Sequence, residues 1–328
     1  MTAPLPIFLV GPTASGKSAV ALALAERIGG EIISVDSMQV YRGLDIGTAK
    51  PTAEERARVP HHLIDVVDLA EPFDAAKFVE LARKVEQDIR ARRRVPIFCG
   101  GTGLYLKAYL EGLGEAPPAN AELREKLEAT PLADLLRELE QRDPTTYARI
   151  DKQNPRRVIR AVEVIRLTAK PFSEQRAHWR SPSDSRGNEA LSSQSAIRSP
   201  QSAVDHPDTP AATKVFGLER TPADLHARIN GRVDGMFARG LVEETRELLK
   251  HGLEQNRTAM QALGYRQVVQ HLQGRLALRA TIELVKARTR QFAKRQMTWF
   301  RRQLSVGWLS VESGDDGQSL VARIARSC

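Results

Sequence analysis

Short apolar runs alternate with longer helical patterns in the first hundred residues of the chain. The runs at 7–10, 31–35 and 95–99 have the length and composition of buried strands. Between them lie an Ala/Leu-rich segment at 18–28 and a long amphipathic stretch at 73–94, both typical of helices. Strand and helix in alternation predict a parallel sheet flanked by helices.

The pattern changes beyond the third strand. Residues 117–150 are rich in Leu and charged residues with Pro between them, which predicts three or four short helices in a small insertion. A helix at 154–168 follows, with Asn154 as its N-cap and Pro155 in its first turn. Ser, Pro and small residues dominate 180–213, which therefore predicts a disordered loop that cannot offset its ordering entropy.

The last third of the chain returns to the sheet with a predicted strand at 215–219, and a final strand at 307–311 precedes a last helix. Further helices are predicted at 221–239, 241–251, 258–272 and 277–304. These patterns predict the following divisions: 1–115 as the first part of the core, 116–150 as a helical insertion domain, 180–213 as a disordered loop, and 151–179 with 214–328 as core completion and a basic helical region.

The composition favours a globular intracellular protein. Apolar residues make up 41% of the chain, which is ample for a core, and no apolar run approaches the ~20 residues of a membrane span. The first apolar run lacks a preceding basic region, so it predicts a strand and not a signal peptide. Cys99 and Cys328 have neither metal-ligand nor disulfide-framework spacing, which favours a reducing cytoplasm. A monomer is the default expectation.

The chain is basic, with a net charge of +9 and a pI of about 9.7. The segment 286–302 carries seven Lys/Arg and no acid, with aromatic residues between the charges. A solvated helix face is one interpretation, but such faces usually mix charges of both signs. We therefore expect one side of this helix to pack inward and the other to follow a phosphate backbone.

The segment GPTASGKS matches the phosphate-binding pattern G-x-x-x-x-G-K-[ST], and it lies between a predicted strand and a predicted helix. We expect the backbone N–H groups of residues 13–18 to bind phosphate oxygens, assisted by the helix dipole. Lys17 would neutralise phosphate charge, and the Ser18 hydroxyl can bind Mg²⁺. The motif predicts a P-loop NTPase-like α/β fold but does not identify the phosphate compound. The predicted phosphate-binding residues are Gly11, Pro12, Thr13, Ala14, Ser15, Gly16, Lys17 and Ser18.

Asp36 ends the second predicted strand, and the glycine cluster at 100–103 follows the third. The carboxyl ends of parallel strands share one edge of the sheet, where ligands bind. Asp36 can hold Mg²⁺, act as a general base or cap a turn. The polar residues expected along the same edge are Ser37, Gln39, Tyr41 and Thr102.

Three other motifs leave alternatives open. Adjacent His61 and His62 favour a structural role over a metal site, because no other ligand has matching spacing. Arg156 and Arg157 oppose the dipole in the first turn of their helix, so they are either ordinary surface charges or contacts to an anion. Arg228 lies on a helix capped by Thr221 and Asp224, within reach of the same edge, where it can stabilise a leaving group.

Taken together, these segments resemble the tRNA dimethylallyltransferases, also called tRNA isopentenyltransferases. The resemblance runs in family order from residue 7 to about 302. The stretches that carry it are GPTASGKS, SVDSMQVYRGLDIGTAKP, HHLID, GGTGLYLKAYL, NPRRVIRAVEV, RINGRVDGMFARGLVEE, QALGYRQ and AKRQMTWFR.

The resemblance implies that the loop holds the diphosphate of dimethylallyl diphosphate and not ATP. The alkyl group would pass to N6 of the adenine at position 37 of tRNAs that read codons beginning with U, with assistance from Mg²⁺. Asp36 would be the general base, and Lys17, Arg228 and Mg²⁺ on Ser18 would stabilise the leaving diphosphate. The helical insertion would clasp the anticodon stem-loop. The implied tRNA contacts are Asp36, Ser37, Met38, Gln39, Thr102, Arg124, Gln153, Asn154, Pro155, Arg156 and Arg157.

One departure from the family concerns an arginine six residues before the one matching Arg228. Pro222 occupies that position here, and Arg220 is the nearest arginine. We expect Arg220 to reach the same phosphate from the strand side, because two extended residues span about 7 Å at most.

Two rival functions are an ATP-dependent kinase and an RNA-binding module with a vestigial loop. A nucleotide kinase should carry an Arg-rich lid, whereas the segment after residue 110 is rich in Leu and Glu. The intact Lys17–Ser18 pair and Asp36 argue against the binding module.

Overall fold

A six-stranded parallel sheet organises the larger part of the protein. The computed structural model describes residues 4–177, 179, 214–312, 315 and 317–326. Both the loop predicted at 180–213 and Cys328 lie outside the described residues. The strands are β1 Ile7–Val10, β2 Gly30–Val35, β3 His61–His62, β4 Val95–Gly100, β5 Lys214–Glu219 and β6 Gly307–Ser310.

The strand order is β3-β2-β4-β1-β5-β6, and every neighbouring pair is parallel. This confirms the predicted fold class. In the register of the sheet, Gly100 of β4 lies beside both Val10 of β1 and Val35 of β2. The loops that leave these three strands therefore start at one level, on the edge where the predicted phosphate loop and Asp36 are found.

The helices that start at Pro155 and Pro222 begin where local capping signals predict them. In the described residues the helices are α1 Lys17–Ile28, α2 Ala53–Arg58, α3 Ala75–Ala91, α4 Gly103–Glu111, α5 Ala121–Ala129, α6 Leu132–Arg142, α7 Pro144–Arg149, α8 Pro155–Thr168, α9 Phe172–Gln175, α10 Pro222–Ala238, α11 Leu241–Lys250, α12 Tyr265–Leu272, α13 Leu278–Gln303 and α14 Gly317–Arg326. The Asn154 side chain accepts a hydrogen bond from the Arg157 amide, and Thr221 accepts one from the Asp224 amide.

The helix predicted at 258–272 is interrupted. A single 3₁₀ turn at Ala259–Gln261 precedes α12, and Gly264 between them has a φ of 100°. Side chains other than glycine rarely adopt this left-handed conformation, so the chain changes direction there. Residues 261–263, next to this break, are among those that line the cavity of the candidate site.

The sheet has apolar layers on both faces because its side chains alternate in direction along each strand. On one face, Phe8 and Phe98 stack at 4.7 Å between ring centroids, and residues from α3, α4, α12 and α13 join them. On the other face, Leu9 and Ile97 pack with α1 and α14. Within the described residues, no helix is long and apolar enough to cross a membrane.

The segment Glu111–Arg180 forms a compact unit of its own, and the described parts of Met1–Leu110 and Ser181–Cys328 form the other. In the smaller unit, the Leu residues of α5 and α6 pack on Val158 and Val162 of α8. The sequence assigned 151–179 to completion of the core, and that boundary is wrong. The apolar face of α8 is matched by the neighbouring short helices and not by the sheet.

The paired histidines have structural roles. His61 and His62 form β3, and His62 Nε2 lies 2.7 Å from the Glu31 carboxylate. His61 Nδ1 lies 2.8 Å from the Val59 carbonyl oxygen. Among the residues that the structure describes, no group of three or more His, Cys, Asp or Glu side chains is arranged to hold a metal ion.

Candidate active site

The phosphate loop joins β1 to α1. Gly16 has a φ of 96° and lies immediately before the first residue of the helix, Lys17. This left-handed turn aims the start of the helix at the edge of the sheet, where its dipole favours an anion. Lys17 Nζ donates to the Pro12 carbonyl at 3.2 Å, so the lysine lies along the loop.

Two amides of the loop bind protein acceptors. The Thr13 N–H donates to Gln296 Oε1 at 2.9 Å, and the Ser15 N–H donates to the Pro12 carbonyl at 3.2 Å. In this structure these two of the amides from 13 to 18 already have acceptors within the protein. The Ser15 side chain is completely buried, which gives it a place in the loop's interior.

Asp36 lies in a tight turn at the end of β2. Its Oδ1 accepts hydrogen bonds from the Met38 amide at 2.8 Å and the Gln39 amide at 3.3 Å. The Ser37 amide donates to Thr102 Oγ1 at 3.1 Å, which joins this turn to the loop after β4. The described residues give Asp36 Oδ2 no hydrogen-bond donor. Asp36 thus caps its turn with one oxygen and leaves the other available to a ligand.

These loops surround a cavity of about 390 Å³. The predicted residues Thr13, Lys17, Ser18, Asp36, Ser37, Met38, Gln39 and Thr102 line it. Tyr41, expected beside them, is instead fully buried in the core of the sheet.

Apolar side chains from α10 and α13 also line the cavity. Val233 and Met236 of α10 and Val285 of α13 are buried side chains that line it. Phe292 and Arg295 lie further along α13, with the guanidinium of Arg295 5.8 Å from the centre of the Phe292 ring. One cavity therefore combines polar groups from the GPTASGKS loop and the Asp36 turn with apolar side chains.

Burial controls the ionisable groups at the base of this cavity. It lowers the pKa of Lys17, while the nearby Asp36 carboxylate opposes that shift. Burial also raises the pKa of Cys99 to about 11, so its thiol stays protonated and unreactive at neutral pH.

A second cavity of about 340 Å³ lies along the first turn of α1 and α10. Its walls are Ala14, Gly16, Lys17, Ser18, Ala19, Arg228, Gly231 and Arg232. Three of these, Lys17, Ser18 and Arg232, also line the first cavity. The two cavities therefore share the residues at the start of α1.

Two predicted arginines reach the phosphate loop. Arg228 Nε donates to the Ala14 carbonyl at 3.0 Å, and Arg220 Nε donates to the Ser15 carbonyl at 2.8 Å. Arg220 also forms an ion pair with Asp224 at 2.8 Å, and its side chain is only 8% exposed. Arg220 thus lies beside the phosphate loop, with Nε bonded to the Ser15 carbonyl and Nη1 to Asp224.

The remaining predicted contacts lie in the smaller unit. Arg124 forms an ion pair with the buried Glu163 carboxylate at 2.6 Å, which ties α5 to α8. Gln153, Asn154, Pro155, Arg156 and Arg157 occupy the start of α8, where both arginines are exposed.

Sequence reasoning missed two residues of the site, Gln296 and Arg232. Gln296 lies in α13, where its Nε2 donates to the Gly101 carbonyl at 3.0 Å while its Oε1 holds Thr13. It therefore fastens the phosphate loop to the loop after β4. Both residues stand within stretches that carry the family resemblance, but nothing in their local spacing marks them as part of the site.

The fold and the site define a P-loop protein whose phosphate loop and strand-end carboxylate face one partly apolar cavity. The chain belongs to the IPP transferase family, whose model matches residues 39–303. This confirms the resemblance found in the sequence.

Individual relatives agree over almost the whole chain. A tRNA dimethylallyltransferase of Geobacter metallireducens is 43% identical, covering 92% of this chain and 91% of the relative. One from Pelotomaculum thermopropionicum is 38% identical, covering 98% and 95%. Neither relative is named a kinase.

Solved structures give the same result. The tRNA isopentenylpyrophosphate transferase of Bacillus halodurans superposes with a TM-score of 0.65 at 36% identity, covering 99% of this chain and 96% of that one. A eukaryotic dimethylallyltransferase described as acting on tRNA gives a TM-score of 0.76 at 26% identity, covering 98% and 77%.

Proposed function

We propose that this protein transfers the dimethylallyl group of dimethylallyl diphosphate to N6 of the adenine at position 37 of tRNAs that read codons beginning with U. The observation that carries the proposal is the single cavity in which the Lys17 and Asp36 side chains share the walls with buried apolar residues. A diphosphate, a short alkyl chain and a base each find matching chemistry there.

Asp36 is the general base of this reaction. The adenine amine is a poor nucleophile because its lone pair is delocalised into the ring, so removal of a proton as the bond forms assists the attack. The C–N bond forms as the C–O bond to the diphosphate breaks, and the N6 proton passes to Asp36. Only Oδ2 is suited to receive it, since Oδ1 holds the turn through the Met38 and Gln39 amides.

The diphosphate binds at the start of α1. Lys17 offsets its charge, and the helix dipole and the Arg228 guanidinium beside the loop add to that effect. Ser18 is exposed at this position and lines both cavities, so its hydroxyl would be the side-chain ligand of Mg²⁺. Mg²⁺ would neutralise charge that develops on the diphosphate.

The dimethylallyl group lies against the apolar side chains of the cavity. Val233, Met236 and Val285 line the cavity with apolar side chains, which suit a short hydrocarbon chain. Exclusion of water protects an allylic diphosphate from hydrolysis while the adenine enters.

The tRNA supplies a base that must leave its stack to reach the cavity. Ser37, Met38, Gln39 and Thr102 surround Asp36 and are placed to contact that base. Arg288, Lys294 and Arg295 are exposed along α13 and suit a phosphate backbone.

The smaller helical unit is proposed to bind the anticodon stem-loop, through Arg156 and Arg157 above all. Both are exposed in the first turn of α8, where an anionic backbone would offset their unfavourable position against the helix dipole. Arg124, Gln153, Asn154 and Pro155 remain proposed contacts on the same unit.

We further propose that the protein acts as a monomer in the cytoplasm.

The test is transfer of label from radiolabelled dimethylallyl diphosphate to total tRNA that lacks the modification, with Mg²⁺ present. Label in adenine 37 of tRNA supports the proposal, and Asp36→Asn serves as the inactive control. Consumption of ATP without label in the tRNA would support a kinase. Binding of tRNA without either reaction would support an RNA-binding module.

A further inference from the structure

Arg232 lies between the two cavities of the active site. It stands one turn after Arg228 on α10, and it lines both cavities together with Lys17 and Ser18. A side chain in this position faces the phosphate loop on one side and the Asp36 end of the larger cavity on the other.

The positive charge of Arg232 has little compensation from other groups of the protein. Its Nη2 lies 3.5 Å from the Thr48 carbonyl, and among the described residues no carboxylate forms an ion pair with it. Arg220, by comparison, has both Asp224 and the Ser15 carbonyl. Burial lowers the pKa of Arg232, and the charge of Asp36 opposes that shift.

A half-buried cation without a paired carboxylate has lost part of its water without a full replacement, which is unfavourable. A multivalent anion bound beside Lys17 would offset this cost. Because Arg232 lines both cavities, it lies between the proposed diphosphate site and the proposed site of the alkyl group.

We propose that Arg232 is a catalytic residue that binds the diphosphate at the oxygen bonded to the alkyl group. The inference rests on the proposed dimethylallyl transfer and assigns a second guanidinium, with Arg228, to the leaving group. As the C–O bond breaks, its electron pair stays on that oxygen, the C–N bond forms, and the N6 proton goes to Asp36. Arg232 stabilises the negative charge that develops on this oxygen, while Arg220 holds the phosphate loop through the Ser15 carbonyl.

The experiment compares Arg232→Gln with Arg239→Gln, a matched change at an exposed arginine just beyond the end of the same helix. Binding of inorganic diphosphate with Mg²⁺ is measured by calorimetry, and single-turnover transfer is measured separately. We expect Arg232→Gln to weaken diphosphate binding by roughly tenfold or more and to slow transfer by about 10²–10³-fold. The affinity for tRNA should stay within a few-fold, and Arg239→Gln should resemble the wild type.

Arg232→Lys retains the charge without the planar fork and should recover part of the loss in both measurements. It also provides the comparison if Arg232→Gln does not fold. Wild-type diphosphate affinity in a folded Arg232→Gln, or in Arg232→Lys if only that variant folds, would overturn the assignment. Failure of the proposed function would show in a different measurement, because the wild type would then transfer no label to tRNA. Calorimetry with inorganic diphosphate does not depend on that transfer reaction.

Discussion

Asp36→Asn separates the two tasks that the structure gives to this side chain. Oδ1 holds the turn through the Met38 amide at 2.8 Å and the Gln39 amide at 3.3 Å, whereas Oδ2 faces the substrate in the proposed reaction. Asparagine keeps an oxygen for the turn and places an amide nitrogen where the base would be. The turn should therefore persist while the basicity is lost.

The expected loss of rate follows from the role of a general base. Such groups contribute about 10²–10⁴-fold, which corresponds to about 2.7–5.4 kcal/mol of activation free energy. Asp36→Ala should lose the same amount and also the two turn hydrogen bonds, each worth about 0.5–1.5 kcal/mol of stability. The alanine variant should therefore unfold at a lower temperature than the asparagine variant, although their rates are similar.

The assay is single-turnover transfer of labelled dimethylallyl groups with excess enzyme, together with thermal unfolding and tRNA binding. Asp68→Asn, at an exposed aspartate outside the cavity, is the matched control and should behave as the wild type. A wild-type transfer rate in Asp36→Asn would refute the role of Asp36 as the base.

Three further outcomes are expected. Lys17→Ala should raise the inhibition constant of inorganic diphosphate with tRNA affinity almost unchanged; an unaltered constant would mean that Lys17 does not touch the phosphates. Charge reversal of Arg156 and Arg157 to Glu should weaken tRNA binding and reduce its salt dependence, because each phosphate contact releases counterions; an unchanged salt slope would make them ordinary surface charges. Met236→Ala removes most of a side chain that lines the cavity and so leaves room for a longer alkyl chain. It should raise the kcat/KM for geranyl diphosphate by roughly tenfold relative to wild type; no gain would mean that the alkyl chain does not lie against Met236.

The local sequence pattern determined most of the secondary structure and part of the candidate site. The strands at 7–10 and 95–100 follow from short apolar runs, and α8 begins at Pro155 because Asn154 caps it. The sequence also placed the phosphate loop and Asp36 on one edge, since both follow parallel strands. These features depend on residues within a few positions of one another, where backbone geometry leaves few choices.

Tertiary structure decided the rest of the site. Gln296 binds the Thr13 amide across 283 positions of sequence, and Arg232 joins two cavities through helix packing that no local spacing encodes. The same holds for α8, whose apolar face matches either a sheet or a helical unit until its partners are known. The position of a side chain in the helical repeat determines which face of the helix it lies on. Only the packing of distant elements determines what that face contacts.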